Sequence, residues 1–181
     1  MKNYQNIFIV GTMDYVLAVN YAGITSQVRC LEFKDHVLPI NRDHNKATEL
    51  NALSILNKYL KNIVQLSTLT KTDSIMCYIT IPDKLYNYIQ KGTYKNWIKN
   101  GTTMSGNPIS QEEIELWKEF TNLYIQSFEH VNFKSLMDFT NTKPKYDYKN
   151  YTFARTVINS CEERIETYKS EKLEKILVKN A

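Results

Sequence analysis

The stretch whose reading decides the fold is Tyr94-Lys95-Asn96-Trp97-Ile98-Lys99-Asn100-Gly101, then Ser105-Gly106-Asn107-Pro108, then Glu115-Leu116-Trp117. Pro82 suits the first turn of a helix. Leu85, Tyr86 and Ile89 then recur at helical spacing, and the run reaches Trp97 before Gly101 interrupts it. From Gly101 to Pro108 the Gly, Ser, Asn and Pro residues mark a loop. Gln111 to Phe128 is helical again, with Ile114, Trp117, Leu123 and Tyr124 on one face. The two tryptophans therefore frame a helix, a turn and a second helix.

Upstream, Ile7-Phe8-Ile9-Val10 is a short apolar run ending at Gly11, the pattern of a buried strand. Tyr15 to Tyr21 and Thr25 to Phe33 are β-rich, with Ala22-Gly23 as the turn between them. The three make an antiparallel meander. Leu50, Leu53, Ile55, Leu56, Leu60 and Ile63 then repeat every three or four residues, giving an amphipathic helix that Asn45 or Thr48 caps. Ser74 to Ile81 reads as a strand parallel to the first, because a helix crosses over between them. His130 to Leu136 reads as the last strand, and Thr140 to Tyr151, which lacks periodicity, as a loop. From Thr152 onward one long charged helix carries Val157, Ile158, Cys161, Ile165, Tyr168 and Leu173 along a stripe.

The order β-β-β-α-β-α-α-β-α implies an α/β fold: a mixed five-stranded sheet, three antiparallel strands followed by βα units, with helices on both faces. The expectation is one domain over 1–181, with a core of about 5–165 and a C-terminal helical extension of about 166–181.

The 181 residues are 43% apolar and 23% charged, an ordinary soluble balance, and the net charge of +4 neither demands nor forbids a polyanionic partner. Cys30, Cys77 and Cys161 are odd in number and widely spaced, so neither a disulfide framework nor a zinc site is expected. With no signal-peptide pattern and no apolar run long enough to span a bilayer, the expectation is an intracellular protein, cytoplasmic or organellar, with no membrane partner. The 13 Tyr and only 5 Gly, with abundant Lys, Asn and Ile, match the coding bias of an AT-rich genome such as that of a virus, phage or parasite. No Gly-rich phosphate loop, nucleophile elbow or His/Cys cluster is present.

The framed stretch resembles the middle of a type 1 ribonuclease H: a helix ending in Asn-Trp-x-x-x-Gly, a Gly-x-Pro turn and a helix with Leu-Trp. Asn45-Lys46-Ala47-Thr48-Glu49-Leu50-Asn51-Ala52 is similar to that family's Asn-Asn-x-x-Glu-Leu-x-Ala helix start. The similarity covers roughly Ile7 to Glu163, with the pieces in the family's order. The resemblance implies the ribonuclease H-like fold and two-Mg²⁺ hydrolysis of the RNA strand of an RNA–DNA hybrid. Such chemistry needs several clustered carboxylates around two ions roughly 4 Å apart.

Laid on that pattern, Phe8-Ile9-Val10-Gly11-Thr12 puts Val10 where the family has its first Asp. The helix Glu is present as Glu49, although a first-turn Glu is also favoured by the helix dipole alone. Ile81 falls at the next ligand position, and a shift of one or two residues brings in Asp83, which otherwise is an ordinary first-turn Asp. In Asn150-Tyr151-Thr152-Phe153-Ala154-Arg155, the last ligand position falls on Ala154 or Arg155. The remnant catalytic and metal-binding set is thus Glu49 and Asp83, with Val10, Ile81 and Arg155 as degenerate positions. Arg155 is a candidate to salt-bridge Glu49 in place of an ion.

The resemblance also implies a nucleic-acid surface of Asn45, Lys91, Lys95, Trp97 and Lys99, although tryptophans more often pack in cores. The loop Lys143 to Lys149 interleaves basic and aromatic residues, a pattern found in binders and in solvated loops alike. The reading that follows is a ribonuclease H-like protein without catalysis and without a cofactor, kept to bind an RNA–DNA hybrid or duplex, or a protein through the C-terminal helix. One alternative is an active Mg²⁺-dependent ribonuclease H with a rearranged site of Glu49 and Asp83, to which Asp14 or Asp138 is a candidate addition. Another is a structural subunit of a larger nucleic-acid-processing assembly.

Overall fold

The computed structural model describes residues 3–11, 16–22, 29–36, 47–70, 75–139 and 148–179. Five strands, β1 (Asn3–Gly11), β2 (Val16–Ala22), β3 (Arg29–His36), β4 (Ile75–Ile81) and β5 (Val131–Ser135), form one sheet in the order β3-β2-β1-β4-β5. β1 pairs antiparallel with β2 and parallel with β4, β2 pairs antiparallel with β3, and β4 pairs parallel with β5. The helices are α1 (Ala47–Thr70), α2 (Asp83–Lys91), α3 (Thr93–Asn100), α4 (Gln111–Ser127) and α5 (Tyr148–Lys179). The molecule is thus α/β, with a mixed sheet and helices.

β1 is apolar at consecutive positions because both of its faces are covered, as expected of a strand inside a sheet layered by helices. Ile7 and Ile9 join Ala18, Ile79, Ile81 and the α1–α4 side chains in one core. Phe8 and Val10 point the other way and join Leu17, Phe139, Val157, Ile158 and Ile165 in a second core under α5. Helices therefore pack on both faces, α1–α4 on one and α5 on the other.

Several boundaries differ from the sequence expectations. β1 starts at Asn3, since its polar first half still finds backbone partners on β4, with Asn3 opposite Ile75. β3 runs to His36 rather than ending at Phe33. The helix expected from Pro82 to Trp97 is two helices. Gly92 adopts φ 67°, closes α2 with its N–H on Ile89 O at 3.2 Å, and starts α3. A left-handed residue cannot continue a right-handed helix, and glycine adopts it without the Cβ penalty. α5 begins at Tyr148, inside the segment expected to be a loop, because a single first turn carries no periodicity to read.

Candidate functional site

Val10, at the end of β1, is 4% exposed beneath α5, and Ile81, at the end of β4, is fully buried in the opposite core. Phe8 is opposite Thr80 in the parallel β1–β4 register, so Thr80, not Ile81, shares Val10's face of the sheet. The alignment of Ile81 with a shared ligand position is therefore corrected by the pleat. Two side chains on opposite faces of a sheet cannot hold one ion pair roughly 4 Å across.

Glu49 lies in the first turn of α1 and is 8% exposed. Tyr88 on α2 senses it. Burial raises the Tyr88 pKa first, and the charges of Glu49 and then Glu113 raise it further. Arg155 stands on α5, across the sheet from α1, and its Nη1 donates to Phe139 O at 3.2 Å. Among the described residues no ion pair joins Arg155 to Glu49, the candidate pairing from sequence, and their helices pack on opposite faces of the sheet.

Asp83 opens α2, and both of its oxygens are engaged. Oδ1 accepts from Ser135 Oγ at 2.9 Å, and Oδ2 accepts from Asn87 Nδ2 at 3.4 Å. Ser135 Oγ also accepts from Met137 N at 3.2 Å. This clasp joins the end of β4 to the end of β5, the role of an ordered structural carboxylate. Asp138, on the turn after β5, keeps the Lys134 pKa from falling further, while burial pulls it down. Asn45 and Asp14, and residues 143–147 of the Lys/Tyr-rich loop, lie outside the described residues.

Glu113 went unread in the sequence, and Glu162, Glu163 and Glu166, read as a solvated face, are exposed but also border a cleft. Glu113 is buried at the start of α4, where Ser110 Oγ accepts from its backbone N–H at 3.2 Å. The Ser-x-x-Glu spacing of a capping box was the available signal. Glu162, Glu163 and Glu166 on α5 line a cleft of about 790 Å³ together with Val10, Leu136 and Ile165. Their helical spacing with lysines reads as a solvated face, and nothing in the chain order brings them to Val10. The charge of that cleft repels phosphate.

The cationic surface is elsewhere. Lys84, Lys91, Lys95 and Lys99 on α2 and α3 are all exposed, and between Asp83 and Glu112 the chain has no carboxylate. Lys95 and Lys99 are four apart and so share a helix face. Trp97 does not belong to this surface. It is 5% exposed, edge-on to Tyr88 at 4.8 Å and to Trp117 at 5.9 Å. Tyr94 stacks on Trp117 at 4.9 Å, and Trp117 meets Phe120 edge-on at 5.6 Å. Facing α4, α3 buries one apolar side there, and its other side carries the lysines. The sequence assignment of Trp97 to the binding set is corrected: the indole anchors the arm that bears the lysines.

No family model matches this chain, and no curated protein matches it. No helix among the described residues is long and apolar enough to cross a membrane.

Proposed function

We propose that this chain is a divergent ribonuclease H-like domain that binds an RNA–DNA hybrid or duplex through the α2–α3 arm and does not cut it. The strand order, the antiparallel first three strands and the framed tryptophan stretch support the family reading. One observation carries the loss of chemistry: Val10, where the family places its first metal-binding Asp, is packed in the core under α5. Ile81 is an apolar core residue on the other face, Arg155 is cationic, and Asp83 is bound to Ser135. These residues do not fit a two-Mg²⁺ centre, which needs clustered oxygen ligands. Of the four family ligand positions, only Glu49 keeps a carboxylate, and it is buried.

Binding has a separate physical basis. Lysines neutralise phosphates and release counterions, so affinity falls with salt in proportion to the number of contacts. A shape-reading module needs no base-specific side chain, in keeping with an arm of Lys, Asn, Thr and Tyr. The test is titration of a labelled hybrid with the wild type and Lys95→Ala/Lys99→Ala, with cleavage followed in the same samples. Salt-dependent binding that the double variant weakens, with intact RNA, is the expected result.

A second reading has its own observation. Leu173, Leu177 and Val178 at the end of α5 are each more than half exposed. An apolar helix end of this kind supports a protein partner for α5 alongside a nucleic acid on α2–α3.

A further inference from the structure

The loop joining α3 to α4 holds out a side chain that the fold does not use. Met104 is 96% exposed, more than any other large apolar residue among those described. The loop beneath it is built rather than slack. Thr103 N–H donates to Asn107 O at 2.8 Å, Gly106 N–H to Thr103 O at 3.0 Å, and Asn107 N–H to Thr103 Oγ1 at 3.1 Å. Thr102 and Pro108 form an antiparallel bridge across its neck, and Ile109 N–H donates to Gly101 O at 2.9 Å. Gly101 and Gly106 take the left-handed conformations that close the turn, and Ile109 roots the base in the core. Much of the entropy cost of presenting Met104 has thus been met by folding.

Its surroundings select the kind of partner. The loop continues directly from α3, whose last two turns expose Lys95 and Lys99, and the whole segment from Lys84 to Gln111 is free of carboxylates. Thr103, Ser105 and Asn107 flank the apex with neutral polar groups. An apolar apex on a cationic arm fits a partner with an anionic surface and apolar planes behind it, which describes a nucleic-acid duplex with its stacked bases. Methionine is among the side chains that proteins insert between base steps from the minor groove, and its polarisable thioether suits contact with an aromatic face.

We propose that Met104 is a wedge that enters the minor groove of a duplex held by Lys95 and Lys99 and partly unstacks one base step. The proposal rests on the nucleic-acid reading of the α2–α3 arm and adds a positioning element to it. The lysines supply affinity without sequence preference, and the wedge favours steps that unstack easily, pyrimidine–purine steps above all.

The experiment uses the full chain and an RNA–DNA hybrid carrying 2-aminopurine in the DNA strand at a pyrimidine–purine step. Binding is followed by anisotropy and base unstacking by 2-aminopurine fluorescence. With the wild type, fluorescence rises severalfold on binding. Met104→Ala, whose exposed site leaves the urea midpoint unchanged, still binds but loses the rise. Lys95→Ala/Lys99→Ala weakens the binding. Wild-type binding without any rise, or an undiminished rise with Met104→Ala, overturns the wedge and leaves the nucleic-acid reading standing. No binding by the wild type at any salt concentration overturns both.

Discussion

Val10 and Ile81 end neighbouring parallel strands, yet they point to opposite faces of the sheet and into different cores. Their relationship bears directly on the proposed ribonuclease H-like reading. Carboxylates placed at both positions cannot make a shared metal site, because the sheet itself lies between them. Val10→Asp places a charge without a partner beneath α5, as Ile81→Asp does beneath α1–α4. Each substitution is expected to cost roughly 3–5 kcal/mol in urea unfolding. Neither variant, nor the double, gains hybrid cleavage. Mg²⁺-dependent cleavage by Val10→Asp/Ile81→Asp would show that the two sites converge after all.

Trp97 holds α3 against α2 through Tyr88 and against α4 through Trp117. Trp97→Ala is expected to destabilise the protein by about 3–5 kcal/mol, the usual cost of deleting a large buried aromatic. An indole lying on a binding surface would behave differently: its removal would weaken binding and leave the urea midpoint where it was. Urea unfolding and hybrid titration of the same variant separate the two roles.

Gly92 is the break that turns one expected helix into two. A Cβ there would meet nothing nearer than Lys95 Cδ at 3.8 Å, so there is room for it. The penalty of Gly92→Ala therefore comes from the left-handed backbone alone, about 1–2 kcal/mol. A stability loss in that range, without loss of the aromatic near-ultraviolet circular dichroism, is the expected outcome.

Cys77 reports on the core under α1. Burial pushes its thiol from the ordinary value near 9 up to about 11. The folded state favours the neutral thiol, so its contribution is fully present below pH 9. That contribution is lost as the pH rises from 9 through 11, and amounts to about 2–3 kcal/mol. Tyr88 and Tyr94, also raised chiefly by burial, steepen the same alkaline limb. Lys134, whose pKa burial lowers, opposes them, since its folded form releases its proton more easily. Cys77→Ala should start less stable at pH 8 but lose less between pH 9 and 11. An alkaline slope identical to that of the wild type would place the thiol in water.

Much of the fold was legible because its elements repeat at the right periods. The α1 stripe from Leu50 to Ile63 and the apolar run of β1 each carry their own signal, and the helix, turn and helix around the tryptophans carry theirs. What was illegible turns on single residues. A lone glycine in a helical pattern reads as tolerated, and only the φ of Gly92 shows that it ends a helix. The face toward which Ile81 points depends on register, and a slip of one residue reverses it. Asp83 reads as a first-turn residue more readily than as a ligand, and the bond from Ser135 is what the chain order does not show. Trp97 sits between lysines in the chain, and only the packing of α3 on α4 turns it inward. Glu162, Glu163 and Glu166 lie far from Val10 in sequence and meet it through the docking of α5.

The most direct test of the central claim is a titration of labelled RNA–DNA hybrid with the purified full chain, in Mg²⁺ and in Mn²⁺, scoring binding and RNA cleavage together. The account predicts salt-dependent binding, weakened by Lys95→Ala/Lys99→Ala, with the RNA left intact in either metal. Cleavage by the wild type that Glu49→Gln abolishes would contradict it, and would mean that Glu49 serves a working metal site.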